Sequence, residues 1–598
     1  MNKTKNQNRP KPDIVWNLKP LFKSDNDSRI EKERRIILQK SCAFINKWKK
    51  NTDYLTDPKT LLTALREYEK WIGEYAEGGD GGYYFWLRNR QNQNNPDLKA
   101  KLKKTEDFFL KIDNNIQFFT LNLAKIPAKT QKQFLAYPEL AKYKHFLKRL
   151  FDRGKYFLSD PEEKVLNLTT PTSYSNWVRL TSDFLAKEEI DGEPFSKILG
   201  LIDDKDKKTR DSAVRELNNI FAKYVDVAEA EMNSLLAYKK VTDELRKFPR
   251  PDASRHISDD VETEVVDSLL KSVSGKFEIA KKYYKLKAQL FGVKKLQYHE
   301  RNLDYGDVGG KYSYGDSINL VSKVLAGLDP EFSEIFRRFN DNGQIDAFPR
   351  KGKSSGAFCT HSLKSQPTYL FLNHTDKLVD VLTIAHEMGH AINNELTRKR
   401  KSPIYFGALT STTEVASTFM EDFVLEEILK QSDDEKKLAI IMQKLNSDVS
   451  SIFRQIAFYR FEQELHKNYR EKGYLTHKEI GALFQKHMVS YMGGYIEQSP
   501  GSENWWVYVG HFRRYFYVYS YASGLLISKS LQSSVRNDHK FMEKVKEFLS
   551  TGTSDSPKNI FKSLGVDIAS EKFWGNGLKE VETLLQKAIQ LAKKLGKI

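Results

Sequence analysis

Residues 381–390 read VLTIAHEMGH and contain a His-Glu-x-x-His motif preceded by apolar residues. On a helix, His386 and His390 would lie one above the other, about 6 Å apart along the axis. Two imidazoles placed in this way can bind one zinc ion, and Glu387 between them would point toward the attacking water. The alternative interpretation is a helix whose two histidines face a core.

The flanking sequence favours a helix through this motif. No proline interrupts residues 376–396, and Asn373, Thr375 and Asp376 are candidate N-caps. The basic residues 398–401 complement the negative end of a helix, and the proline that follows prevents its continuation.

A catalytic zinc site needs a third protein ligand and an open position. Residues 411–422 predict the start of a second helix, with Ser411 or Thr412 as its cap. Glu414 would lie in the first turn of this helix, where the helix N-terminus favours an anion. Glu414 is therefore the predicted third ligand, and a solvated first-turn glutamate is the alternative.

Two further glutamates near the motif have open interpretations. Glu395 is a rival for the third ligand position. Glu421 lies seven residues after Glu414 and thus on nearly the same helix face. It could orient a ligating histidine from behind, or form a surface ion pair.

An aromatic stretch near the C-terminus, residues 505–524, combines His511 with several tyrosines. Helical spacing explains most of these rings as core packing. However, peptide hydrolysis at zinc develops negative charge on the former carbonyl oxygen, and an imidazole or a tyrosine hydroxyl can stabilise that charge. The spacing does not choose among the tyrosines.

Composition limits the class of protein. With 598 residues and 39% hydrophobic content the chain is globular, and its length suggests roughly two to four domains. No apolar run approaches the ~20 residues that cross a bilayer, and the N-terminus lacks the apolar segment of a secretory signal. Only Cys42 and Cys359 are present, so no disulfide framework is expected and the predicted location is the cytoplasm. Because no membrane-spanning run is present, no membrane partner is expected.

The net charge is +18, from 97 Lys and Arg against 79 Asp and Glu. Such a balance could indicate a nucleic-acid partner or a channel that attracts anions. The basic residues are dispersed and no nucleic-acid motif accompanies them. A solvated lysine-rich surface is therefore favoured, and no nucleic-acid partner is expected.

Periodicity predicts a mainly helical chain. Apolar residues recur at three- and four-residue spacing in segments such as Ser28–Lys50 and Lys129–Arg153. Residues 357–360 and 368–372 read as two short strands just before the metal helix.

Two boundaries are predicted. Residues 1–12 read as a disordered basic tail. The turn at residues 191–194 divides an N-terminal helical region, 1–195, which would form part of a channel wall, from a catalytic domain, 196–598.

Taken together, these motifs resemble the oligoendopeptidase F branch of the thimet-oligopeptidase family of zinc metallopeptidases. The resemblance is carried by the metal motif at residues 386–390, by EVAST at 414–418 and by the C-terminal HF…FYVYSYASG at 511–524. Two segments ahead of the metal helix, residues 352–359 and 369–373, also match. One departure is Tyr515, which stands where this branch often has proline.

The resemblance implies a mostly α, elongated, two-lobed protein with a deep substrate channel and a small β-sheet next to the zinc helix. The strand Tyr369–Asn373 would pair with the substrate backbone as an added strand. One zinc ion per chain is implied, with three protein ligands: His386, His390 and Glu414. Glu387 would be the general base, and His511 with Tyr519 or Tyr517 would bind the oxyanion, Tyr519 being ranked first.

The expected function is zinc-dependent hydrolysis of internal bonds in short, unstructured peptides. A helical zinc carboxypeptidase shares the metal motif and is one alternative. A basic, non-catalytic nucleic-acid-binding protein with a structural metal is another, but structural zinc sites usually have four ligands, often cysteines, which are scarce here. An electropositive channel would favour acidic peptides. The sequence does not determine the oligomeric state.

Overall fold

The computed structural model of the chain describes residues 14–409 and 412–598, and α-helices dominate that part, as predicted. The tail expected at residues 1–12 and the candidate cap Ser411 lie outside the described residues. The N-terminal helices are α1 (Arg29–Lys50), α2 (Pro58–Tyr75), α3 (Gly79–Gln91), α4 (Pro96–Ile116), α5 (Phe118–Ala124), α6 (Ala128–Ala136), α7 (Lys144–Gly154), α8 (Asp160–Thr170), α9 (Asn176–Leu185) and α10 (Phe195–Leu201).

The rest of the chain is built on longer helices, and none of the helices in the described ranges is long and apolar enough to cross a membrane. These helices are α11 (Lys207–Arg246), α12 (Ala253–Ser258), α13 (Thr263–Ser274), α14 (Phe277–Leu290), α15 (Tyr314–Leu328), α16 (Pro330–Asp341), α17 (Leu378–Arg400), α18 (Thr413–Lys430), α19 (Asp434–Asp448), α20 (Gln455–Lys472), α21 (His477–Met492), α22 (Tyr519–Asn537), α23 (Met542–Leu549), α24 (Pro557–Ser563) and α25 (Glu571–Lys594).

Buried apolar faces join these helices into separate cores. One core lies within residues 37–151 and holds α1, α2 and α4 to α7 together. The largest runs from Leu185 to Ala592 and includes the apolar faces of α17, α18 and α22. This core begins with Leu185, before the predicted domain boundary at residue 195. That boundary stays a prediction.

Short strands supply the small sheets. They are β1 (Glu189–Ile190), β2 (Glu193–Pro194), β3 (Leu296–Gln297), β4 (Ile345–Asp346), β5 (Phe358–Thr360), β6 (Tyr369–Phe371) and β7 (Ile496–Glu497). β1 pairs antiparallel with β2 across the predicted turn, and β3 pairs parallel with β7. The remaining three form a mixed sheet beside α17 in the order β4-β6-β5. The two strands predicted ahead of the metal helix are therefore confirmed as β5 and β6.

The position of β6 in this sheet corrects one expectation. β6 is parallel to β4 on one side and antiparallel to β5 on the other. The backbone N–H groups of Leu370 and Leu372 donate to residues 344 and 346, so that edge of the strand is occupied. The expectation that the strand Tyr369–Asn373 pairs with the substrate backbone is wrong, because a substrate can join a sheet as a new strand only at a free edge. β4 and β5 are the two edge strands of this sheet.

Two cavities lie between N-terminal helices and later segments of the chain. One, of about 510 Å³, is lined by α3, α4 and residues 360–362, which directly follow β5. The other, of about 650 Å³, is lined by residues of α5, α7, α8, α11 and α12 and by residues 514–515. The second cavity thus borders the aromatic stretch that carries His511 and Tyr517.

Candidate metal centre

The helix that carries the His-Glu-x-x-His motif begins at Leu378, with Lys377 in the N-cap position. The three predicted caps precede it and none is the N-cap: Asn373, Thr375 and Asp376. Instead, Asp380 in the first turn accepts hydrogen bonds from the backbone N–H groups of Thr375 (2.7 Å) and Lys377 (2.9 Å). The basic residues of the last turn lie where the sequence predicts them.

Gly389, between the two histidines, lets α18 cross α17 at very short range. A Cβ atom at this position would lie 2.5 Å from the backbone oxygen of Ala416 and from the Cα atom of Ser417. On α22, a Cβ at Gly524 would lie 3.0 Å from the Cβ of Glu414. Since larger residues would force the helices apart, these glycines allow the first turn of α18 to reach the histidines.

The crossing brings the three predicted ligands together. Glu414 Oε2 lies 3.4 Å from His386 Nε2 and 3.8 Å from His390 Nε2. One donor atom from each of the three residues lies within 4.8 Å of the others. Ser417 Oγ donates to Glu414 Oε2 at 3.1 Å and holds the carboxylate in this direction.

This donor set fits a zinc ion. Two imidazole nitrogens and one carboxylate oxygen are typical of catalytic zinc, and tetrahedral bonds of about 2.1 Å put neighbouring donors about 3.4 Å apart. The observed 3.4 and 3.8 Å are close to that spacing. Among the described residues the cluster contains three such side chains, which matches a site with an open position.

The charges around the cluster favour a cation. Burial opposes a positive charge on His386, but its hydrogen bonds to Glu414 and Glu421 prevail and raise its pKa to about 10. Burial would raise the pKa of Glu414, yet the hydrogen bond from His386 and the charges of both histidines lower it to about 2. A pocket that stabilises positive charge in this way also suits a divalent metal ion.

The structure gives different surroundings to the two other glutamates near the motif, Glu421 and Glu395. Glu421 Oε2 lies 3.2 Å from His386 Nδ1, on the side of the ring away from Glu414. Glu395, the rival third ligand, instead accepts hydrogen bonds from Arg398 Nε and Thr368 Oγ1, both at 3.1 Å. Glu421 therefore occupies the orienting position that the sequence left open, and Glu395 belongs to a separate ion pair.

A buried ion network fixes Glu421 from behind. Lys444 Nζ lies 3.6 Å from Glu421 Oε1 and 2.6 Å from Asp422 Oδ1. Lys529 Nζ lies 2.8 Å from Asp448 Oδ2, and Lys444 also approaches that carboxylate. These lysines come from α19 and α22, so the orientation of His386 depends on helices distant in sequence.

Glu387 follows His386 on α17, the helix that packs against β5. It is buried, and the backbone of Cys359 on β5 is among the groups that act to lower its pKa. Burial raises the pKa of Glu387 to about 7, with Glu414 adding to the rise and His386 opposing it. A carboxyl group with a pKa near neutrality is suited to accept and return a proton.

Three rings of the C-terminal aromatic stretch form a partly exposed cluster. The ring centroid of His511 lies 6.2 Å from that of Tyr517 and 5.6 Å from that of Tyr521, and the two tyrosine rings are 5.5 Å apart. Burial raises the pKa of Tyr521 to about 12, and Tyr517 and Glu414 also raise it. Tyr521, which the sequence did not single out, thus packs in this ring cluster, and the charge of the predicted ligand Glu414 contributes to its raised pKa.

Tyr519 is buried beside Asp259. It is 1% exposed, and its hydroxyl donates to Asp259 Oδ2 at 2.9 Å. Tyr519 begins α22, and Tyr521 follows it by two positions, about 200° around the helix axis. When Tyr521 faces the His511 ring, Tyr519 must therefore face the core.

An unusual backbone turn sets this arrangement. Tyr515 and Phe516 have φ angles of +46° and +55°, in the left-handed region. The N–H of Phe516 donates to the buried carboxyl of Glu462 at 2.8 Å, and Arg513 donates to Glu231 and to backbone carbonyls of the preceding turn. Proline often occupies the position of Tyr515 in the branch that this chain resembles. Because proline cannot adopt a positive φ, it would not fit this turn.

Comparison with known proteins gives consistent matches. A family model described as Peptidase family M3 matches residues 201–580, and one described as Oligopeptidase F matches residues 122–187. An oligoendopeptidase F homolog of Lactococcus lactis subsp. lactis is 23% identical over 98% of this chain and 100% of its own length.

Solved structures share the fold. A putative peptidase from Chlamydophila abortus superposes with a TM-score of 0.85 at 21% identity, over 97% of this chain and 98% of its own. Oligoendopeptidase-F from Enterococcus faecium superposes with a TM-score of 0.69 at 18% identity, over 95% and 99%.

Proposed function

The chain belongs to peptidase family M3 and is a metalloendopeptidase, and from this premise we propose that zinc, held by His386, His390 and Glu414, serves the hydrolysis of internal bonds in short peptides. The observation that carries the proposal is the convergence of these three side chains within 4.8 Å, next to the buried carboxyl of Glu387. When bound, zinc supplies Lewis-acid activation of water and of the scissile carbonyl.

The protein's own groups divide the remaining work. Glu387 takes the proton of the attacking water and returns it to the leaving amine. Tyr521 and Tyr517, with His511, donate to the oxygen that becomes negative. The edge strand β5, against which α17 packs, replaces β6 as the strand that would pair with the substrate backbone.

The nature of the products tests this function. A short peptide acetylated at its N-terminus and amidated at its C-terminus should be cut at internal bonds, as shown by mass spectrometry. A zinc chelator should stop the reaction and added zinc should restore it. Stepwise loss of C-terminal residues, only from peptides with a free carboxylate, would instead identify a carboxypeptidase.

Replacing Glu421 by glutamine should weaken zinc binding about tenfold to hundredfold, because His386 loses the carboxylate that fixes its Nδ1–H and its orientation. Competition with a chromophoric chelator measures the affinity directly. Glu427→Gln on the same helix is the matched control, since Glu427 pairs with the surface cations Lys323 and Lys430. Equal zinc affinity in both variants would exclude the orienting role of Glu421.

The biological setting belongs to the same proposal. Short peptides are the proposed partners, without nucleic acid or membrane. The two cysteines, Cys42 and Cys359, are both free, and this supports a reducing compartment such as the cytoplasm.

A further inference from the structure

The cavity of about 650 Å³ has an unbalanced set of charges on its walls. Its lining includes two carboxylates, Glu163 and Asp243, and five cationic side chains: Arg153, Lys239, Arg246, Arg255 and Arg514. Tyrosines and phenylalanines complete much of the remaining surface. A cleft lined by one sign of charge focuses the field and attracts ligands of the opposite sign.

Both carboxylates are already neutralised. Glu163 forms two parallel hydrogen bonds with Arg246, of 2.6 and 2.8 Å. Asp243 pairs with Lys239, and Arg470 approaches it to 2.5 Å. The positive charge that remains on the cavity wall therefore belongs to the other three arginines.

These arginines have weak partners or none among the residues that the structure describes. Arg153 and Arg514 form no ion pair within residues 14–409 and 412–598, and Arg255 lies 3.6 Å from a single carboxylate, Asp259. Arg153 comes from α7, whereas Arg255 and Arg514 belong to the predicted catalytic domain, residues 196–598. Guanidinium groups with weak ion-pair partners, or with none among the described residues, thus line one cavity from both of its walls.

The cavity lies next to Tyr517 of the C-terminal aromatic cluster. The guanidinium carbon of Arg255 lies 5.7 Å from the ring centroid of Tyr517. The charge of Arg514 acts to lower the pKa of His511 and of Tyr521, whereas the charge of Glu414 acts to raise the pKa of Tyr521. The charges of Arg255 and Arg514 both act to lower the pKa of Tyr174, which also lines the cavity.

We propose that Arg255 and Arg514, with Arg153 opposite them, form a subsite that binds a carboxylate of the peptide substrate. This inference rests on the proposed peptidase function. Guanidinium groups bind carboxylates through paired, charge-assisted hydrogen bonds, and the neighbouring aromatic rings suit the peptide around that group. The carboxylate is either the C-terminus of a short peptide or an acidic side chain.

The test compares matched quenched fluorescent peptides that share one cleavage site. One has a free C-terminus and one an amide; a third replaces each Asp and Glu by Asn and Gln. In the wild-type protein we expect kcat/KM to fall about tenfold or more when the recognised carboxylate is removed, mainly through KM. Loss on amidation identifies the C-terminus, and loss on side-chain neutralisation identifies an acidic residue.

Arg514→Gln and Arg153→Gln should each reduce this ratio of charged to neutral peptide toward one. Because the ratio is measured within one variant, a general loss of activity cancels. Arg215→Gln is the control, since Arg215 is exposed on α11, does not line this cavity, and changes the net charge equally. A wild-type ratio near one, or the same reduction in Arg215→Gln, would overturn the subsite while leaving the peptidase function intact. Absence of cleavage of every peptide would instead contradict the peptidase function.

Discussion

Replacing Glu387 by glutamine is expected to leave zinc bound and to lower kcat for peptide cleavage about a hundredfold to ten-thousandfold. The side chain keeps its size, so the ligands on α17 and α18 stay in place. An amide, however, cannot accept the proton of the attacking water. Metal content by mass spectrometry and turnover of a quenched peptide test the two parts of this expectation separately.

The protonation of Glu387 adds a pH dependence. Burial raises its pKa to about 7, and only the carboxylate form can act as a base. Wild-type kcat/KM should therefore fall as the pH drops through the pKa of this group. Glu395→Gln, on the same helix but paired with Arg398, is the control and should keep most of its activity. Substantial turnover in Glu387→Gln would assign the base elsewhere.

Removal of the Tyr521 hydroxyl is expected to lower kcat about a hundredfold to a thousandfold, with a smaller change in KM. Tyr521 packs against His511 and Tyr517, and the charge of Glu414 contributes to its raised pKa. A donor that acts mainly on the developing oxyanion contributes to the transition state more than to substrate binding. Tyr521→Phe keeps the ring, so steady-state kinetics isolates the hydroxyl.

Two further phenylalanine variants sharpen this comparison. Tyr517→Phe should also reduce kcat, because Tyr517 lies in the same ring cluster. Tyr519→Phe should instead lower stability by about 1–3 kcal/mol in urea unfolding, since Asp259 loses a buried hydrogen-bond donor. If Tyr519→Phe alone abolished kcat while remaining folded, the original ranking of Tyr519 would stand and the assignment to Tyr521 would fail.

Local sequence patterns were sufficient for the elements that hold the candidate site. The His-Glu-x-x-His spacing depends only on helical periodicity, and α17 contains it within Leu378–Arg400. Glu414 could be selected because a first-turn glutamate after a suitable loop can reach a neighbouring helix. The strands β5 and β6 followed from short apolar runs between turn residues.

Other features depend on contacts between distant segments. β4 has two residues, too few to recognise from a pattern, and yet its pairing makes β6 a middle strand and leaves β5 at the edge. The tyrosines were ambiguous because the turn at Tyr515 and Phe516 relies on Glu462, over fifty positions earlier, to accept a backbone N–H. Ion pairing, likewise, decides which of the many cations stay free.

The sequence by itself therefore determined a helical protein of known family resemblance, its metal motif and its candidate third ligand, because these follow from helix periodicity and short-range spacing. Tertiary structure alone decided that Gly389 and Gly524 admit the close approach of α18, that Tyr519 is buried against Asp259 while Tyr521 packs against His511, and where unpaired positive charge collects. The physical reason is that side-chain direction and charge pairing are set by packing between segments far apart in the chain.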